Sequence, residues 1–414
     1  MGANLDVLQG DCCRRTRGVL TSLLLALGTL APAVARAEEP ALDPTDVKIH
    51  AFVSQGFIKT TANEYLTRSK RGSFEFSEVG INFTTNLSKD LRVGMQLFAH
   101  DLGPIGNYAP SFDWYYLDYR VRDWLGLRAG RIKIPFGLYN DSADIDAARV
   151  PILLPQSVYP IDHRDYLLAQ TGGEIYGNKR VDPLGEIEYR AYGGTLDLAT
   201  PVGPTPGISV SDVQVPYVYG GRLLWLTPLE GLTAAASYQA LRFDWNYHFI
   251  PELIQPFQML NLVPAGFTGT LPVQFRVKLW VASLEYQVGE LSVAAEYSRW
   301  VGKFNTQAPN LLPPHTVNER YYAMASYHVT PWFTPGAYYS VYYPNTDRRH
   351  GRENRQRDLA VTFRFDVNSY WLLKLEGHWM NGTAALDKAL NHGTELDALD
   401  KNWAAFLVKT TAYF

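Results

Sequence analysis

The 414-residue sequence predicts an all-β fold, a transmembrane antiparallel β-barrel of about 16 strands. Three observations predict it. Segments of roughly ten residues in which every second residue is apolar recur from Val47 onward, and no sustained helical period competes. Their connectors alternate between short and long. Tyrosines and tryptophans cluster near strand ends, in WYYLDY, YVYGGRLLW and AYYSVYY, where amphipathic rings form interfacial girdles.

Composition narrows the class further. Aromatic residues make up 13% of the chain, with 26 Tyr and 10 Trp, and charged residues 19%. Soluble domains carry roughly 25% charged residues. After residue 35 there is no apolar stretch of about 20 residues, which excludes a helical membrane bundle, and mean hydropathy is only -0.16. A net charge of -3 gives no reason to expect nucleic acid.

At the N-terminus Arg14, Arg15 and Arg17 precede the apolar run VLTSLLLALGTLAPAV, which ends in Ala35-Arg36-Ala37 before the acidic EEP. Residues 1–37 therefore read as a secretory signal peptide cleaved after Ala37, with 38–46 a short periplasmic segment and 47–414 the barrel. Both cysteines, Cys12 and Cys13, fall in the removed part. The expected mature chain is stabilised without disulfides or thiolate metal sites.

The short connectors are Ser88-Lys89-Asp90, Arg122-Asp123-Trp124, Val181 to Gly185, Thr227 to Gly231, Val288 to Glu290, Thr330 to Trp332 and Asn368-Ser369. Longer ones are centred on 61–73, 103–110, 135–169, 197–214, 246–272, 304–317, 344–356 and 382–401. Fifteen connectors imply sixteen strands, with both chain ends on the short-turn side. Hydrocarbon offers no hydrogen-bond partners, so a spanning sheet must close on itself. A propeller or solenoid would repeat at a fixed interval, and no such period is present.

Within strands, Val79, Ile81, Phe83, Thr85 and Leu87 alternate with Gly80, Asn82, Thr84 and Asn86. Leu91, Val93, Met95, Leu97 and Ala99 alternate with Arg92, Gly94, Gln96 and Phe98. Residues 273–281 repeat the pattern, with Val273, Phe275, Val277, Leu279 and Val281 expected to face outward and a bulge expected near Ser283. The final WAAFLVKTTAYF places Phe406, Val408, Thr410, Ala412 and Phe414 in register, similar to the insertion signal of bacterial barrel proteins.

A sixteen-stranded interior is too wide for its own side chains to fill and leaves an aqueous channel. The longest connector, 135–169, follows the fifth strand, and on these features the chain resembles the trimeric bacterial outer-membrane porins over nearly all its mature length. The segment RIKIPFG, Arg131 to Gly137, is similar to the R-x-K-x-P-F-G strand end of porins of the phosphate-selective type. The general porins' P-E-F-G-G motif and the closely spaced lumen lysines of phosphate-specific channels are absent, so no particular solute is indicated.

The resemblance implies a passive channel for small hydrophilic solutes or ions, a homotrimer, and a connector 135–169 folded inward as a constriction loop. Asp141, Asp144 and Asp146 would be its carboxylates. Parity gives Arg92, Arg120, Arg131 and Lys133 as facing wall cations, with Ile132 and Ile134 toward lipid. Arg131 and Lys133 would repel each other unless something anionic lies opposite.

The basic stretch 347–357, with Arg348, Arg349 and Arg352, is a candidate for lipopolysaccharide phosphates. No cofactor, metal or catalytic residue is expected. His163-Arg164-Asp165 has no nucleophile motif beside it, and the nine His lack metal-ligand spacing. Two rival readings are a barrel enzyme of lipase or protease type, which needs a nucleophile and base, and a solute-specific energy-coupled receptor. The receptor would need a plug domain, and only about ten residues separate Ala37 from the first strand.

Overall fold

The computed structural model describes residues 46–198, 207–312 and 314–414. The expected signal peptide and both cysteines lie outside the described residues.

Sixteen strands form one closed antiparallel barrel. They are β1 (Lys48–Thr60), β2 (Ser77–Asn86), β3 (Leu91–Asp101), β4 (Ser111–Arg122), β5 (Leu125–Lys133), β6 (Ala169–Val181), β7 (Gly185–Leu196) and β8 (Ile208–Leu226). The second half comprises β9 (Leu232–Phe249), β10 (Thr270–Val288), β11 (Leu291–Thr306), β12 (His315–Tyr327), β13 (Phe333–Tyr343), β14 (Gln356–Asn368), β15 (Trp371–Gly382) and β16 (Asn402–Tyr413). Each strand pairs with its sequence neighbours, and β1 closes on β16 from Phe52↔Tyr413 to Thr60↔Ala405. No ladder edge is left open, which satisfies the backbone where water is absent.

Short and long connectors alternate as expected, so all short turns lie at one end of the barrel. Several of these turns need backbone that only glycine adopts easily. Gly231 has φ +82, and a Cβ there would meet the Gln287 carbonyl at 1.8 Å.

The outer face is apolar and the inner one polar, the reverse of a soluble protein. On β2 and β3 the alternation runs as expected: Val79 and Met95 are exposed outside, while Asn82, Thr84 and Gln96 are buried inside. Exposed Trp124, Trp332 and Tyr370 lie in the short turns, the interfacial level for such rings.

β10 is inverted relative to the expectation. Val273, Val277, Leu279 and Val281 are buried on the inner face, and Arg276, Lys278 and Trp280 are exposed on the outer one. Val277, Leu279 and Val281 cluster there with residues 134–158 folded into the lumen, and Val273 with Phe249 and Phe267 at the long-loop end, so the inner wall is apolar on that side too. Pairing of β10 with β11 continues unbroken from Val273↔Thr306 to Val288↔Leu291, so the expected bulge at Ser283 is absent. Irregular register falls elsewhere, at Gln96/Leu97 between β3 and β4 for example.

The isoleucines of RIKIPFG are likewise not on the lipid face. Ile132 and Ile134 are 2% and 1% exposed, and Ile134 packs with Phe136, Leu154 and Val158.

Candidate functional site

Between β5 and β6, residues 134–168 leave the wall and enter the lumen. Pro135 carries no N–H to continue the ladder. Gly137, at φ +60, passes so close to Tyr159 and Glu296 that a Cβ would lie 2.3 Å from the Tyr159 hydroxyl. The side-chain amide of Asn140 donates to the carbonyls of Ile134 (2.8 Å) and Leu167 (2.7 Å), clasping the two ends of the segment together. Beyond it come single turns at Asn140–Ser142, Asp146–Ala148 and Ile161–His163, and then the short helix α1 (Arg164–Leu167).

The segment is tied to walls on several sides. Toward β9, β10 and β11, the Gly137 N–H donates to Ser237 (3.0 Å), the Leu138 N–H to Glu296 (2.9 Å) and the Tyr139 hydroxyl to Glu285 (3.0 Å). Glu296 also accepts from Tyr159, Ser283 and Tyr322. Toward β15, Glu376 accepts the N–H groups of Ile152 (2.7 Å) and Leu153 (3.0 Å). From β12, Arg320 donates to the Ser157 carbonyl at 3.1 Å, and from β14, Arg364 donates to Ala147 at 2.7 Å.

Apolar contacts follow the same division. Ile134, Phe136 and Val158 pack with Leu241, Leu279 and Trp300 on one side, and Ile152 and Leu153 pack with Ile58, Met380 and Leu407 on the other.

All three aspartates meet basic groups. Asp141 pairs with Arg190 (2.8 Å) on β7 and Arg222 (3.0 Å) on β8. Asp144 pairs with Lys133 (2.5 Å) and accepts from Gln96 (2.7 Å). Asp146 pairs with Lys374 (3.0 Å) on β15, accepts from Thr411 (2.7 Å) and lies 3.6 Å from Lys409 on β16.

Burial works against ionisation of all three. The neighbouring cations outweigh it, Arg190 and Arg222 for Asp141, Lys133 for Asp144, Lys374 and Lys409 for Asp146, and hold each carboxyl below its ordinary range.

On the short-turn side of the segment lies a cavity of about 1830 Å³, lined by Tyr139, Asp141 and Leu154 of the segment and by Arg128, Arg190 and Arg222 of the wall. These three arginines share carboxylates in series. Arg128 pairs with Asp118 (3.0 Å) and Glu174 (3.0 Å), Arg190 with Glu174 (2.7 Å) and Asp141, and Arg222 with Asp141.

Of the wall cations read from sequence, Lys133 reaches the cavity and the loop carboxylates. Arg131 pairs with the exposed Tyr115, which places it on the outer face of β5, and its Nε donates to the Asp113 carbonyl at 3.1 Å. Arg92 and Arg120 sit near the short-turn ends of β3 and β4, away from the loop aspartates.

Arg128, Arg190, Arg222, Lys374 and Lys409 were missed from sequence. Arg128 carried a signal, since it shares parity with Gly126 and Gly130, residues too small to belong to a greasy outer face. His163 touches the rings of Tyr166 and Trp300, and Arg164 pairs with Asp113 at 2.6 Å. Among the described residues no group of three His, Cys, Asp or Glu is placed to hold a metal.

The fold is that of the sixteen-stranded outer-membrane barrels. The anion-selective porin from Comamonas acidovorans superimposes with a TM-score of 0.54 at 11% identity, covering 89% of this chain and 99% of that one. The outer-membrane channel DcaP of Acinetobacter baumannii gives 0.53 at 11% identity, covering 89% and 97%. Salmonella typhi OmpF, in complex with daunomycin, gives 0.52 at 13% identity, again covering 89% and 97%. No family model and no curated protein matches the chain. At these identities the likeness establishes the fold alone.

Proposed function

We propose that this chain is an outer-membrane porin, a passive water-filled channel for small hydrophilic solutes or ions, exported through cleavage of residues 1–37. The observation that carries the reading is the segment 134–168, pinned across the lumen of a closed barrel by opposed charges beside a large cavity that three wall arginines line. In this reading it is the constriction. Asp141 against Arg190 and Arg222 sets up a transverse field that orients dipolar solutes and selects among ions. Lys133 contributes to the same lining, and Arg92 and Arg120 to the mouth on the short-turn side. The folds shared with a porin described as anion-selective and with a channel support it, and a trimer form of Vibrio cholerae OmpT, another barrel of this fold, supports a homotrimer.

The test is conductance of the purified, folded protein in a planar bilayer, with the reversal potential measured in a salt gradient. Discrete conductance steps are expected. Folded protein that inserts and gives no steps overturns the reading.

A further inference from the structure

Lipid-facing walls are normally apolar, because charged side chains there cost free energy that grows with depth. The outer faces of β10 and β11 break this rule. Arg276, Lys278, Arg299 and Lys303 are all exposed on them, on adjacent strands, and among the described residues none has a carboxylate within ion-pair distance. The nearby carboxylates are engaged. Asp244 is held by Arg242 on β9, and Glu319, opposite Arg299 on β12, is held by Arg349 and by the Tyr297 hydroxyl at 2.9 Å.

Their height follows from strand length. A tilted strand crosses the hydrocarbon in about ten residues. Counted from the tight turn Gly289-Glu290, that span ends near Lys278 on β10 and near Val301 on β11, which are register partners. Below them, Arg299 opposite Trp280 apart, the outer residues are apolar or aromatic: Trp280, Ala282 and Leu284 on β10, with Tyr297, Ala295 and Val293 on β11. Trp280 and Tyr297 lie 5.3 Å apart, centroid to centroid, as a girdle pair. Arg276, Lys278 and Lys303 therefore stand at headgroup level on the long-loop side, and the long Arg299 side chain reaches up to the same level.

We infer that this surface binds a phosphorylated, multiply acylated glycolipid of the outer leaflet, the class to which the lipid A part of lipopolysaccharide belongs. The cations take its phosphates, and its acyl chains lie on the apolar wall beneath. From Arg276 to Trp280 the patch covers roughly 13 Å along the strand, more than one phosphate occupies. The loop arginines expected for this role are less free: Arg349 is committed to Glu319, and Arg352 donates to the Leu399 carbonyl at 2.7 Å. The inference does not depend on the channel reading.

The experiment uses the full folded protein, stripped of lipopolysaccharide, titrated with bisphosphorylated lipid A and read by native mass spectrometry. The variant Arg276→Gln/Lys278→Gln/Arg299→Gln/Lys303→Gln is expected to weaken binding at least tenfold. Dephosphorylated lipid A should bind the wild type as weakly. The milder Lys278→Gln/Lys303→Gln variant, with folding checked by heat-modifiable gel mobility, should lie between. Wild-type affinity in both variants overturns the inference. So does equal affinity for dephosphorylated lipid A or phosphatidylglycerol, or loss of binding only in Arg348→Gln/Arg349→Gln/Arg352→Gln.

Discussion

Replacing Asp146 by asparagine should lift part of the lumen segment off the wall and enlarge the pore. Asp146 is 1% exposed, and both lysines facing it, Lys374 and Lys409, are fully buried. Removing one partner of a buried ion pair costs about 3–5 kcal/mol, because the other charge is left uncompensated. Here Lys409 keeps Glu78 at 2.6 Å, and Lys374 keeps the carbonyls of Asp146 (2.7 Å) and Arg149 (2.8 Å). The lower end of that range, about 3 kcal/mol, is therefore expected. That corresponds to a docking equilibrium weakened by about 100-fold. Residues 152–153 remain held by Glu376, so the loosening is confined to the stretch around Asp146. Single-channel recording should show larger, noisier steps, and urea titration a lower unfolding midpoint. Adding Lys374→Met, which removes the orphaned charge, should recover much of the midpoint. Steps and midpoint unchanged in Asp146→Asn would refute the reasoning.

Arg222→Glu should move the reversal potential toward cation preference, since it reverses a charge beside Asp141; an unchanged potential removes this pair from the selectivity argument. Acid should not release the three aspartate anchors until strongly acidic pH. The folded carboxyls of Asp141, Asp144 and Asp146 lie below their ordinary value of 3.8, so their stabilisation is complete above that value and lost only as pH falls through the depressed folded values. Step size should thus hold constant from neutrality down to about pH 4, which recordings at stepped pH would check. Gly130→Ala should lower the urea midpoint by about 1–3 kcal/mol of stability, because Gly130 has φ +136 and a Cβ would meet the Tyr115 carbonyl at 2.3 Å.

The barrel was legible in sequence because two signals reinforced each other: alternation within strands and alternation of connector lengths. Orientation within a strand was legible only where one face alone is apolar. β2 and β3 meet that condition, with Gly80, Asn82, Thr84 and Gln96 opposite their greasy faces. β10 and RIKIPFG do not, because Val277, Leu279 and Ile134 are apolar on account of the chain folded inside, which parity counting cannot see. That error also moved Arg131 inward and hid Arg128. The loop aspartates drew notice in sequence by their crowding in NDSADIDAARV, and the structure pairs each with a cation. Of their partners, Arg190 and Arg222 lie on β7 and β8, just past the segment's return to the wall, whereas Lys374 and Lys409 come from β15 and β16, which only closure brings near.

That last point bears on how the molecule is made. Asp146 precedes Lys374 by 228 residues, and Lys409 lies on the strand that seals the cylinder. The segment cannot find its final seat while β15 and β16 are still missing, so the internal bridge cannot be fully seated before the last two strands arrive. A molecule that closed with the bridge astray would trap the Lys374 ammonium bare in its wall and leave Lys409 with Glu78 alone, which makes the mid-lumen ion cluster a checkpoint on correct closure as well as a brace.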